Sequence, residues 1–198
     1  VTRSYRSPRR DADAAATRAR IVAAAARLFV RDGYAATPMK SIAAEAGVSV
    51  PTVHLNGPKH ALLVAAFERA FAGDEGRHAL SERPELADIL SRPDVRDALA
   101  GYVDFLARAN ERAAALIRAM MAAADADPTV REAYDDLERR RHRDMLLGAG
   151  WMRQRGLIAP DAVERTADLL GHLTGPDAYL HFVGARGWTR ARYEEWLA

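Results

Sequence analysis

Cysteine is missing from this chain altogether. That excludes disulfides and thiolate metal sites, and it agrees with a reducing compartment. Apolar runs are short. None reaches the roughly eighteen residues that a membrane-spanning helix needs. The opening stretch VTRSYRSPRRDADAAATRAR is basic and has no apolar core ahead of a cleavage site, so no secretory signal is expected. Together these absences predict a cytoplasmic protein without membrane contact. Sustained alternation of apolar and polar residues is also missing, which removes strands from the reading. There is no glycine-rich phosphate loop after a strand, no Gly-x-Ser-x-Gly and no His-Glu-x-x-His. His54, His60, His78, His142, His172 and His181 show no metal-ligand spacing. No enzyme, metal site or cofactor is expected.

Lysine is nearly absent, Lys40 and Lys59 being the two among 29 basic residues. The net charge of +2 hides an asymmetry. Residues 1–60 hold ten basic against four acidic side chains, whereas residues 61–198 hold nineteen against twenty-three. A basic N-terminal third suits nucleic acid. Its first part, with Arg3, Arg6, Arg9 and Arg10, also reads as a solvated arm with no specific partner. At 198 residues the chain is long enough to bury a core.

The expected architecture is all-α: an N-terminal three-helix helix-turn-helix domain and a C-terminal helical bundle. Residues 1–11 read as a disordered basic arm, 12–58 as the first domain and 59–198 as the second. A first helix is expected over 12–31, with Ile21, Ala25, Leu28 and Phe29 on its apolar face. Residues 37–62, TPMKSIAAEAGVSVPTVHLNGPKHAL, hold the densest signal. Thr37 is a good N-cap, and Pro38 suits a first helical position. Met39, Ile42, Ala43 and Ala46 fall on one face of a short helix. Gly47 provides a left-handed exit and Val48 an apolar plug. Ser49 can cap a second short helix over 50–56, with Pro51 in its first turn. Two short helices joined by a tight glycine turn make a helix-turn-helix, whose second helix enters the major groove.

A fourth helix starts near Lys59, with an apolar face wide enough to bridge to a second domain. Residues 73–93 are weakly patterned. Helical periodicity returns from Asp94, and Asn110 is placed to cap a new helix and divide that run. A long helix is expected over 129–155, then helices over 161–173, 176–185 and 190–197. Gly148 and Gly150, inside the long helix, read as a close-packing point.

Residues 17–71 resemble the N-terminal domain of the tetracycline-repressor (TetR) family of bacterial transcription regulators. The resemblance rests on Leu28-Phe29, Gly33-Tyr34, Thr37, Ile42-Ala43, Ala46-Gly47-Val48-Ser49, Thr52-Val53 and Lys59, in order and at matching spacing. It departs from the family at Pro51, where glycine is usual, and at His54, where tyrosine is usual. One residue is also missing before Gly57-Pro58. Pro51, His54 and Leu55 lie on the presumed reading surface.

The resemblance implies a homodimeric repressor that binds a palindromic duplex operator and is released by a small-molecule effector. A non-specific DNA-coating protein is the competing reading. Thr37, Lys40 and Lys59 are candidates for phosphate, and Thr52, His54, Leu55 and Asn56 for base edges, with Val50 and Pro51 beside them. Ser49 reads as a cap before a base contact. Asn56 reads equally as a helix-end residue, because asparagine tolerates left-handed backbone. By the same resemblance an apolar effector pocket lies among the fourth to seventh helices. The large side chains there are Phe67, Phe71, Tyr102, Phe105, Leu116, Met120, Met121, Tyr134, Met145 and Trp151, and ordinary core is the competing role for each. Arg141 falls on the apolar face of the long helix, between Leu137 and Met145. Its stem covers apolar surface with its head at water or a nearby carboxylate, or it pairs with a ligand carboxylate. Two apolar stripes, Leu169-Leu170-Leu173 and Tyr179-Leu180-Phe182-Val183, are candidates for the dimer interface or for covering the long helix.

Overall fold

The structure, a computed structural model, describes residues 8–73, 75 and 83–197. These are helices joined by short turns and loops, with no strand among the described residues. Helix α1 runs Pro8–Asp32, α2 Met39–Ala46, α3 Val50–Leu55 and α4 Lys59–Ala72. Then come α5 Pro84–Ser91, α6 Val95–Ala124, α7 Pro128–Gln154, α8 Val163–Leu173, α9 Pro176–Tyr179 and α10 Arg190–Leu197. A 3₁₀ turn leads into α8, and wide π-type turns over Leu180–Ala185 continue α9.

Helix α1 begins earlier than its apolar period predicts. Residues 8–11, assigned to a disordered arm, are its first turn. Proline is pre-set for a helix start, and Asp11 complements the positive end of the helix dipole. The rest of the arm lies outside the described residues.

The small helices fold around α1. Ile21, Val22, Ala25, Leu28 and Phe29 of α1 are buried against Ile42, Ala43 and Ala46 of α2 and Val53 of α3. Gly47 ends α2 at φ 65°, and its N–H donates to Ala43 and Ala44 carbonyls. Val48 then packs on the core from the turn. Helix α4 joins this cluster through Leu62, Leu63, Ala66 and Phe67, and α6 joins it through Ala113, Leu116, Ile117 and Met120. One continuous core thus runs from the small helices into the bundle.

Helix α6 is unbroken across Asn110, contrary to the division expected there. Asn110 is fully buried, and its Nδ2 donates to the Thr174 carbonyl at 2.8 Å. A tertiary acceptor has replaced the local backbone group that an asparagine cap would bind. Asp127 does cap α7, accepting from the Thr129 and Val130 N–H groups. In the C-terminal part, Tyr179 meets Tyr193 edge to face at 5.5 Å, and Phe182 packs on Trp188 and Trp196 at 4.6 and 4.7 Å.

Candidate nucleic-acid interface and bundle cavity

Helix α3 is only six residues long, and Val53 is the one it buries. Such a helix is marginal without an anchor at each end. At its start, Ser49 Oγ accepts from the Thr52 N–H at 3.3 Å, and the two hydroxyls lie 2.7 Å apart. Ser49 is thus a cap, and Thr52 is tied to it. At its end, Asn56 Nδ2 donates to the Thr52 carbonyl at 2.8 Å. Asn56 is right-handed at φ −88°, and Gly57 takes the positive φ of 124° instead. The amide of Asn56 is therefore engaged by the helix end. Arg18 of α1 then donates to the Asn56 carbonyl at 2.7 Å and to Glu75 at 2.6 Å. Arg69 of α4 reaches the same Glu75 at 3.2 Å.

What α3 presents outward is Val50, Pro51, His54 and Leu55. Leu55 is 87% exposed. Residues 50 and 54, and 51 and 55, are four apart, so they share one face. Two of the four, Pro51 and His54, are positions at which the chain departs from the family pattern. Lys40 is exposed on α2.

One phosphate candidate, Thr37, is corrected, and another, Lys59, has a partner within the chain. Pro38, not Thr37, occupies the N-cap position of α2. Thr37 is 1% exposed, and its hydroxyl donates to the Gly33 carbonyl at 2.7 Å. The open carbonyls at the end of α1 were the nearer partners. Lys59 Nζ donates to the Tyr34 carbonyl at 2.9 Å and stands 4.1 Å from the Tyr34 ring centre. It locks the turn after α1 to the start of α4. The Tyr34 hydroxyl in turn reaches Asp127, the α7 cap, at 3.5 Å. Burial, then the nearby Asp127 charge, pushes the Tyr34 phenol up to about 12.

In the bundle an apolar cavity of about 200 Å³ lies between α5, α6, α7, α8 and α10. Tyr102 and Trp151 line it, as do Leu99, Val103, Leu170, Leu173, Thr174 and Leu197. It shares α5, α6 and α7 with the expected pocket and takes its remaining wall from α8 and α10 rather than α4. Of the side chains expected there, Phe67, Leu116 and Met120 are instead buried core between α1, α4 and α6. Phe71 stacks on Phe67, while Met121 and Tyr134 pack at the edge of that core. Phe105 is buried with Leu86 and Ile89 of α5. Met145 is 2% exposed, with its sulfur 3.8 Å from the Tyr102 hydroxyl. Arg141 lies in a separate polar cleft, donating to Glu138 at 3.2 Å and to the Gly171 carbonyl. Its charge and donors are met within the chain.

Gly148 is not a close-packing point. A Cβ there would lie 3.8 Å from the Tyr102 hydroxyl, an ordinary contact, and at Gly150 it would meet nothing within 4 Å. Of the expected dimer stripes, Leu170 and Leu173 face the cavity, and Tyr179 is 5% exposed inside the subunit. Phe182 is half-buried under two tryptophans; Leu180 and Val183 are half-buried beside it. Leu169 is the outward member, 54% exposed.

Arg18, Glu75, Leu99, Val103 and Leu197 carry no local motif. Only their partners in space reveal them. Gly148 did carry a signal, a glycine inside a strong helix, that could have marked a cavity wall.

A short capped helix offered to solvent after a tight glycine turn, in a basic first third on a larger helical bundle, has the geometry of a helix-turn-helix unit. Residues 21–56 match the tetR family of bacterial regulatory proteins. The match spans the second half of α1, then α2 and α3, so it is a likeness of the helix-turn-helix segment. Solved structures share the fold over most of the chain. A protein described as a TetR-family transcriptional regulator from Mesorhizobium loti is 23% identical, with a TM-score of 0.68, covering 92% of this chain and 91% of its own. A transcriptional regulator by description from Pseudomonas aeruginosa is 17% identical, with a TM-score of 0.70 and coverage of 91% and 86%. Another such protein, from Saccharomonospora viridis, was solved with choline; it is 21% identical, with a TM-score of 0.66 and coverage of 92% and 94%. At these identities the likeness is one of fold. No curated protein sequence matches the chain.

Proposed function

We propose that the protein is a transcriptional repressor that binds a palindromic duplex as a homodimer and is released by a small molecule held in the bundle. The outward face of α3 carries this reading. Val50, Pro51, His54 and Leu55 lie exposed on a helix fixed at both ends, which is what groove reading needs. Two copies related by a two-fold axis would present two such helices to successive major-groove faces. Leu147, Leu169 and Trp196 are 53, 54 and 44% exposed, apolar side chains on α7, α8 and α10 that a second copy would cover. The cavity supports the effector part, and α4 supplies the connection. It starts beside α3 at Lys59 and packs along α6. The choline seen in the Saccharomonospora viridis protein supports a small-molecule site in this fold.

The test is selection of duplexes from a random pool with the full chain, followed by titration at several salt concentrations. A selected palindrome should bind far more tightly than random duplex. Leu55→Ala and His54→Ala should change which bases are preferred. Lys40→Ala should weaken all duplexes and lower the salt slope by about one. Equal affinity for selected and random duplex would instead favour the DNA-coating reading.

A further inference from the structure

Three polar side-chain groups stand on the cavity wall, and two of them are already satisfied. Trp151 Nε1 donates to the Leu90 carbonyl at 3.0 Å. Thr174 Oγ1 donates to the Leu170 carbonyl at 2.7 Å. The third, the Tyr102 hydroxyl, has only the Met145 thioether at 3.8 Å. Sulfur is a weak acceptor, so this donor has most of its bonding capacity left. Burial holds the phenol above its usual range, with the Asp144 charge adding to the effect, so it is a donor at any ordinary pH.

Charge on a ligand is disfavoured from both sides. Among the described residues, no carboxylate, arginine or lysine lines the cavity. A buried charge without a partner is costly. For a cation, the aromatic face to seek would be Trp151, but the Arg155 guanidinium already lies 5.2 Å from that ring. For an anion, the nearest candidate would be Arg141, which is engaged by Glu138 and the Gly171 carbonyl in another cleft. Size is bounded as well. At about 200 Å³ the cavity is little larger than the roughly 150 Å³ apolar space that admits benzene.

We infer that the cavity selects a neutral molecule of about one-ring size carrying one hydrogen-bond acceptor, which the Tyr102 hydroxyl recognises. This rests on the effector reading above and names the chemical class of the effector. It also replaces the carboxylate pairing considered for Arg141.

Four probes of similar size separate the alternatives: acetophenone, ethylbenzene, benzoate and phenyltrimethylammonium, each titrated calorimetrically into the full chain. Acetophenone should bind about tenfold more tightly than ethylbenzene, the worth of one good hydrogen bond. The two ions should not saturate. In Tyr102→Phe the preference for the ketone should vanish while ethylbenzene still binds. Gly148→Leu, which fills the cavity from a helix position with room for a Cβ, should abolish binding of both while the thermal transition stays cooperative. The inference is overturned if either ion binds better than the ketone. It is equally overturned if the preference survives Tyr102→Phe, or if none of the four saturates. Release of a selected duplex is read separately by fluorescence anisotropy. Tyr102-dependent binding without release would overturn the repressor reading and leave the cavity chemistry standing.

Discussion

Helix α3 and the bundle cavity are built on opposite plans. The face of α3 comes from six consecutive residues whose caps lie within the same stretch. The cavity is assembled from Leu90 to Leu197, on five helices that meet only after folding. The first can be changed one residue at a time with little effect on the core, because Val53 is its only buried side chain. The second shares its walls with the packing that holds α6, α7 and α8 together. A binding face of the first kind can vary rapidly in sequence, and the departures at Pro51 and His54 fall on it. A site of the second kind must change together with its support.

The seam joining α4, the helix after α3, to α7, a helix of the cavity wall, is where that contrast is easiest to break. Arg140 of α7 meets Glu68 of α4 at 2.8 Å, and both are largely buried. Asp136 supports the same guanidinium at 3.2 Å. Removing one member of a buried pair leaves the others uncompensated. Arg140→Ala should cost about 3 kcal/mol in denaturant unfolding. It should also weaken duplex binding, though α3 is untouched. Unchanged duplex affinity in a folded variant would show the two regions to be independent.

Asn110→Ala should cost about 1–2 kcal/mol, because the Thr174 carbonyl loses its donor in a buried place. Its effect should reach the cavity, of which Thr174 is a wall, and spare duplex affinity. Ser49→Ala should do the reverse. A lost cap costs about 1 kcal/mol, here confined to α3, so duplex binding should fall while the melting of the bundle barely moves. Gly148→Ala sharpens the contrast from the stabilising side. Removing a helix-interior glycine should add about 0.5–1 kcal/mol, as the new methyl has room.

The smallest effect expected near neutrality is that of pH. Tyr34 and Tyr193 both have phenols pushed up to about 12, by burial first. A raised folded-state value means that the native protein holds the proton more tightly than the unfolded chain. The stabilisation is therefore complete below about pH 10, the ordinary phenol value, and is lost as pH rises through about 12. Melting temperature should be insensitive to these groups at neutral pH and fall steeply above 10, alongside phenolate formation followed by ultraviolet difference spectroscopy.

How much of each region was legible in the sequence follows from the same contrast. The helix-turn-helix was readable because its signals are local: Gly47 at the turn, Ser49 at the cap, and Ile42, Ala43 and Ala46 on one face. Thr37 was misread for a tertiary reason, and Lys59 has a tertiary partner that its sequence position did not announce. Each stands at or just before a helix start, where phosphate is welcome, and each donates to a backbone carbonyl in the turn after α1. The long helices were legible from their periodicity, and the break at Asn110 was not real, because its partner lies sixty-four residues away. The cavity was the least legible part. A large side chain at helical spacing looks the same whether it meets another side chain or a void, and only packing separates Met120 from Trp151.

The scarcity of lysine acquires a practical meaning from the geometry of the two that exist. Lys59 is held by a carbonyl and an aromatic face, whereas Lys40 stands in solvent on the helix before α3. Acylation of side-chain amines should therefore mark Lys40 well before Lys59. The chain carries its own single-position footprinting probe beside the face presumed to meet DNA, and the rate at which that amine is blocked reports whether a duplex is seated there.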